Sequence, residues 1–270
     1  VPNPLIQHAP PLPPLLVTRK FIAWFARFIF FFGHSAWTQN NTKALYFDTS
    51  NTQTVLVLTA TAGYVHVDAI PAGKKLIALL GEKYGYNVLH TKDPKALKKI
   101  DFSTIDTLIF LCTTLDILNN RQQAMIEDYI RKGGGYVGIH AAADTEYEWP
   151  WYGQLVGAYF ESHPEGTPRA TITTIDTNNP FTNHLPASWS IEDEWYNFTF
   201  KNKEIIPLLN LEESSFEGGK NGPEHPITWY HNYDGGRAFY TGLGHRGEVY
   251  EDERFIELLQ KGIAYTMKKP

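Results

Sequence analysis

Two uncharged runs, Thr54-Val55-Leu56-Val57-Leu58-Thr59 and Thr107-Leu108-Ile109-Phe110-Leu111-Cys112, constrain the fold more than any other feature. Strands this apolar along their whole length have no face to give to water, so they belong inside a sheet covered on both sides. Between them Pro71 opens a helical pattern in which Leu76, Ile77, Leu79 and Leu80 cluster on one side, and Gly85 ends it. Tyr86 to His90 reads as a further short strand, and Asp93-Pro94 starts a turn or short helix through Leu97. Asn119 or Asn120 caps a second helix whose Ala124, Met125, Tyr129 and Ile130 keep helical spacing up to Gly133. A fourth strand, Tyr136-Val137-Gly138-Ile139, then leads into His140 and Asp144. Strands alternating with helices predict an α/β fold built on a doubly wound, mostly parallel sheet with right-handed crossovers.

Beyond Asp144 the pattern changes. A helix is expected from about Tyr147 through Val156, a loop over Phe160 to Pro164, and a half-exposed strand over Arg169 to Ile175. Ile205-Ile206-Pro207-Leu208-Leu209 reads as an edge strand because proline cannot donate to a ladder. Pro226 to Tyr233, the turn Asp234-Gly235-Gly236 and Arg237 to Thr241 predict an added β-hairpin. A terminal helix starts at Asp252, with Phe255, Ile256, Leu258, Leu259 and Ile263 on its buried side.

Residues 1–53 are expected to stand apart from the domain at 54–268. Residues 1–17 are proline-rich without core-forming periodicity, and residues 36–53 are polar and linker-like. Arg19-Lys20, the apolar run Phe21 to Phe32, and the small residues Gly33 and Ser35 resemble a secretory signal peptide over residues 19–36, which predicts a secreted or periplasmic protein. Arg27 inside the run suits the competing reading, an interfacial amphipathic helix retained on the mature protein, so any membrane contact would run through this leader alone.

Several function classes can be set aside. A net charge of -5 without a Lys/Arg run in the body disfavours a nucleic-acid partner. The single cysteine, Cys112, lies in an apolar strand, which excludes an internal disulfide and a multi-cysteine metal site. The glycines at 133–138 precede a strand instead of joining strand to helix, so they do not make a phosphate cradle. The turn after the fourth strand holds His140 where an acyl-transfer enzyme needs serine or cysteine. What the chain offers instead is histidine and carboxylate: His66, His140 and Asp144 follow carboxyl ends of strands, where open α/β sheets place chemistry, and later loops add His163, Asp193, Glu194, His225, His231 and His245. His225 and His231 are the most easily read as structural, and no HExxH or CxxC spacing occurs, so a metal follows only if these groups converge.

Thr61-Ala62-Gly63-Tyr64 with His66, Gly134 to Ala142 with Asp144, Phe160 with Ser162-His163-Pro164, Asp193-Glu194-Trp195-Tyr196 and Leu243-Gly244-His245 resemble, in order, the motifs of ThuA-like (trehalose utilisation) proteins. The resemblance spans residues 54–268. It implies a flavodoxin-like sheet of the class I glutamine amidotransferase type, with His140 standing about where the amidotransferase cysteine would be, so glutaminase activity is not expected. Val65 departs from the basic residue that many members carry before the histidine. The resemblance also implies work on trehalose, sucrose or related disaccharides, or their 3-keto forms.

Two readings of function follow. In the first, the chain is a carbohydrate-active enzyme, a metal-assisted lyase or hydrolase: His66, His140 and His245 bind a divalent cation (zinc or similar), and His140, Asp144, Glu194 and His163 carry the chemistry. Tyr64, Trp149, Trp151, Trp195, Tyr196 and Asp116 then line the sugar site. In the second, the same crevice binds a sugar without a reaction. Close approach of His66, His140 and His245, or a carboxylate beside one of them, favours the first.

Overall fold

The computed structural model describes residues 52–267; the leader, the signal-like segment 19–36 and most of the linker lie outside the described residues. The first strand, β1 (Thr54–Leu58), is buried along nearly its whole length, as its composition requires. Helix α1 (Ala69–Tyr84) follows and ends at Gly85, whose φ of 77° closes the last turn through an N–H bond to the Gly81 carbonyl. Strand β2 (Asn87–Thr91), a short 3₁₀ helix at Pro94–Lys99, and the fully buried β3 (Thr107–Leu111) come next.

Asn119 caps α2 (Asn120–Arg131) in a reciprocal box, its side chain accepting from Gln122 N–H while the Gln122 side chain accepts from Asn119 N–H. The buried face of α2 is Gln122, Ile126, Tyr129 and Ile130, which corrects the expectation for Ala124 and Met125. Strand β4 (Gly135–Ile139) then delivers His140 into a 3₁₀ turn, His140–Asp144, before α3 (Pro150–Val156).

The remaining elements are β5 (Ala158–Ser162), β6 (Arg169–Thr174), β7 (Ser188–Glu192), β8 (Asn197–Phe200), β9 (Ile206–Glu212), β10 (Pro226–Tyr233), β11 (Gly236–Thr241) and the terminal α4 (Glu253–Met267). The nine-stranded sheet runs β2-β1-β3-β4-β11-β10-β9-β6-β7, with β5 and β8 pairing separately. Its first five strands are mutually parallel and its last four join antiparallel. Side chains alternate across it: Thr107 meets Thr266 of α4, whereas Phe110 packs on Tyr136 and on Tyr152 of α3, so helices cover both faces.

Two expectations change here. Phe160 to Ser162 is strand, because β8 pairs with it. β9 is not an edge, since β6 and β7 extend the sheet beyond it. Pro207 pairs with Trp229 of β10 beside the register shifts at Thr228, and such an irregular ladder tolerates a residue without an N–H. Among the described residues no helix is long and apolar enough to cross a membrane.

Candidate metal and sugar site

Three of the strands that matter here are parallel, so their carboxyl ends share one edge of the sheet. The loop after β1 carries His66, the turn after β4 carries His140, and the loop after β11 carries His245. Glu194 arrives from the segment between β7 and β8. The three imidazole rings form a triangle with centroids 4.9, 5.0 and 5.1 Å apart and mutual tilts of 80–85°. One nitrogen from each ring and one Glu194 oxygen lie within 4.8 Å of one another.

The hydrogen bonds decide what that cluster can hold. His140 Nδ1 lies 2.9 Å from the Gly242 carbonyl, which can only accept, so Nδ1 carries the proton and Nε2 keeps its lone pair in the neutral ring. That Nε2 is 3.3 Å from Glu194 Oε2 and 3.2 Å from His245 Nδ1, and the same carboxylate oxygen is 3.1 Å from His245 Nδ1. Three lone-pair atoms thus point at one spot, which a proton on His245 or a cation must fill. His66 separates the two cases. Its ring makes no hydrogen bond among the described residues and its Nδ1 is buried, so a shared proton leaves it unpaired whereas a cation engages all four groups. Three imidazoles and a carboxylate suit zinc or a similar divalent ion.

Electrostatics favour ligand roles for His66 and Glu194. Burial, with His140 and His245 alongside, pushes His66 down to about 3, so it stands neutral with a free lone pair near pH 7. Burial acts to raise Glu194, but the His140 and His245 imidazoles, when protonated, override it and hold the carboxyl well below the usual range. Burial lowers His245, but its hydrogen bond to Glu194 together with the charges of Glu194 and Asp193 outweighs that and leaves it raised.

Supporting groups orient the ligands. Fully buried Asp193 accepts from the N–H groups of Gly244 (2.6 Å), His245 (3.1 Å) and Arg246 (3.1 Å), fixing the loop that presents His245. Its position next to Glu194 marks it in the sequence only as one more acid; its role as a loop anchor needs the fold. The ring of Tyr196 packs against His140 at 4.4 Å, and the Tyr240 hydroxyl donates to the His140 carbonyl. His140 itself holds φ at 50°, the sharp left-handed turn that aims its ring out of the sheet edge.

Of the other expected site residues, the structure gathers some and scatters others. His163 Nδ1 sits 3.3 Å from Glu194 Oε1 and 2.7 Å from the Pro164 carbonyl, at the mouth. Burial raises Asp144, whose environment includes His140, Glu194 and His163, and Tyr147 donates to it at 2.6 Å. Tyr64 stands exposed beside His66 and His245. The tryptophans do not line a sugar wall: Trp149 is buried with its indole on Glu127, Trp151 bonds Asp234 in the hairpin turn, and Trp195 is buried with its indole on the Pro168 carbonyl. Asp116 lies in a separate groove with Asn119 and Glu148. His225 bonds Glu213 and the Tyr196 carbonyl, and His231 bonds the Gln154 carbonyl, both away from the cluster.

The sequence matches the family described as ThuA, trehalose utilisation, over residues 54–266. The chain belongs to the ThuA family. Its fold is shared by a ThuA-like protein from Bacteroides uniformis, at 24% identity and a TM-score of 0.65, covering 77% of this chain and 88% of that one. A ThuA-like protein from Parabacteroides merdae superposes with a TM-score of 0.68 at 18% identity, covering 81% and 91%. The β-galactosidase of Bacillus circulans sp. alkalophilus contains a similar fold in 31% of its chain, covering 79% of this one at 11% identity and a TM-score of 0.54. At these identities the likeness establishes the fold. No curated protein matches the sequence. Membership of ThuA implies a role in trehalose utilisation.

Proposed function

We propose that this ThuA protein is a metal-assisted enzyme that cleaves a disaccharide of the trehalose or sucrose type, or its 3-keto derivative, and that it works outside the cytoplasm. The observation that carries the reading is the meeting of His66, His140, Glu194 and His245 at one point, with the His66 ring making no hydrogen bond among the described residues. Export is supported by the basic, apolar and small residues of 19–36.

On the 3-keto form, the one that carries a carbonyl beside an acidic C–H, a divalent cation bound there would supply positive charge that polarises that carbonyl. The chain's own groups do the rest. Asp144, steadied by the Tyr147 hydroxyl, takes the proton from the carbon beside the ketone. As the adjacent glycosidic C–O bond breaks, His163 at the mouth gives a proton to the departing oxygen, releasing one sugar and leaving an unsaturated keto-sugar to which water adds. Tyr64 offers an exposed ring beside the cluster for a sugar face.

Metal content of the purified protein, and turnover of trehalose, sucrose and their 3-keto forms, test this directly. The wild type should bind about one zinc-type ion per chain, consistent with a single four-ligand site. Glu194→Gln and His140→Ala should lose both metal and turnover. Sugar binding without turnover by the metal-loaded wild type would instead make the protein a binding module, and undiminished turnover in either variant would end the proposal.

A further inference from the structure

Among the described residues five that are not glycine hold a positive φ. Four of them, Cys112 (48°), Leu115 (58°), His140 (50°) and Glu146 (56°), lie in the segments that leave β3 and β4 at the edge where the site stands. The fifth, Asp234 (47°), belongs to the hairpin turn, where that conformation is ordinary. Strain of this kind survives only where the surroundings enforce it, and it concentrates where function needs it. His140 already has such a reason. Leu115 does not.

Leucine has no side-chain group to bond its own backbone, and at 41% exposure the side chain is not being held in place by burial. The backbone is instead clamped from outside. Leu115 N–H donates to the Asp144 carbonyl at 2.6 Å, and Leu115 accepts from Glu146 N–H at 3.1 Å. The Glu146 carboxylate, in turn, accepts from the N–H groups of Ile117 (2.8 Å) and Leu118 (2.7 Å) and from the Gln123 side chain (2.7 Å). The clamp presents Leu115 over Gly63, where a Cβ would come within 2.8 Å of the leucine side chain, so the missing side chain at 63 makes the room. Thr114 ties the two loops together: its hydroxyl donates to the Tyr64 carbonyl and accepts from Gly63 N–H. The loops that carry an exposed leucine and an exposed tyrosine are thereby tied together, with Asp144 bonded to the leucine backbone and Tyr147 bonded to Asp144.

We propose that Leu115 is a specificity-determining residue: with Tyr64 and Tyr147 it forms an apolar rim that receives the C–H face of a pyranose ring, and its left-handed backbone exists to present it. Pyranoses are polar at their edges and apolar on their faces, so a rigid aliphatic and aromatic rim selects the ring without needing a charge. The proposal rests on the sugar-cleaving reading above.

The test compares Leu115→Gly and Leu115→Met with the wild type in the intact protein, using trehalose and 3-ketotrehalose as probes. Leu115→Gly relieves the backbone, so its Tm should hold or rise by about 2 °C. It should also raise KM roughly tenfold, the effect falling more on KM than on kcat. Leu115→Met keeps an apolar side chain and should stay within about threefold of the wild-type KM. The combination of undiminished stability and weakened binding is what a merely structural leucine would not produce. A Leu115→Gly protein with unchanged KM, or one whose Tm drops by several degrees, overturns the proposal. Glu194→Gln run alongside keeps the two ideas separate: if it loses turnover while Leu115→Gly keeps its KM, the rim alone is wrong. If Glu194→Gln retains turnover, the reading of the site falls and the rim with it.

Discussion

Replacing His231 by glutamine should make the protein markedly less sensitive to mild acid. His231 sits in β10, only 2% exposed, with Nε2 donating to the Gln154 carbonyl and Nδ1 buried without a hydrogen-bond partner among the described residues. Burial lowers its pKa from 6.5 to about 4, against a smaller upward pull from the carbonyls of Gln154 and Leu155. The sign follows from which state takes the proton first. Unfolded chain protonates His231 near 6.5, whereas folded protein resists until about 4, so stability present above 6.5 is lost as pH falls through that window. Integrated from pH 7.5 to 5.0, this one group removes roughly 2 kcal/mol. Urea unfolding followed by tryptophan fluorescence at the two pH values measures it for wild type and His231→Gln. The variant is expected to lose some stability at both pH values, but its difference between them should shrink by roughly 2 kcal/mol. A variant whose acid loss matches the wild type would show that the buried imidazole is not the source.

Three further outcomes are expected. Gly135→Ala should destabilise by about 3 kcal/mol or more, because its Cβ would lie 2.2 Å from the Thr266 carbonyl oxygen, a backbone atom of α4 that cannot swing aside; thermal unfolding reads it. Asp193→Ala leaves the N–H groups of Gly244, His245 and Arg246 without their acceptor, which should lower stability by roughly 3 kcal/mol and weaken zinc binding measured by competition with a chelating dye. Trp151→Ala should leave sugar affinity unchanged while modestly lowering Tm, since its ring stacks on Trp149 and its indole bonds Asp234; a loss of affinity would return it to the sugar site.

The parallel half of the fold was legible because its strands are apolar without interruption and its helices carry their own stop signals, such as Gly85 with φ at 77°. Strands β7 and β8 were not: Ser188–Glu192 and Asn197–Phe200 are short, and their strand character comes from neighbours far along the chain. The face of α2 was misjudged for a related reason, since Ile126 and Gln122 turn inward only because the sheet and the Pro94 carbonyl lie there. At the site, the chemical types of His66, His140, Glu194 and His245 could be named from their loops and His225 could be read as structural, but only the fold shows that His225 is fully buried and serves a carboxylate and a carbonyl elsewhere. Aromatic roles were the least legible. Trp149, Trp151 and Trp195 share polar surroundings in the sequence with Tyr64, yet only Tyr64 keeps its ring in solvent beside the histidines.

The chain by itself determined which segments must be covered on both faces, where the first two helices stop, and that the groups it offers for a site are imidazoles and acids. Those properties follow from side-chain chemistry and spacing over a few residues. The tertiary structure alone decided that Glu194 joins three histidines separated from it by up to 128 positions, since 194 less 66 is 128. Which lone pairs face one another depends on strand order and parallel register, and those are set by packing across the whole sheet.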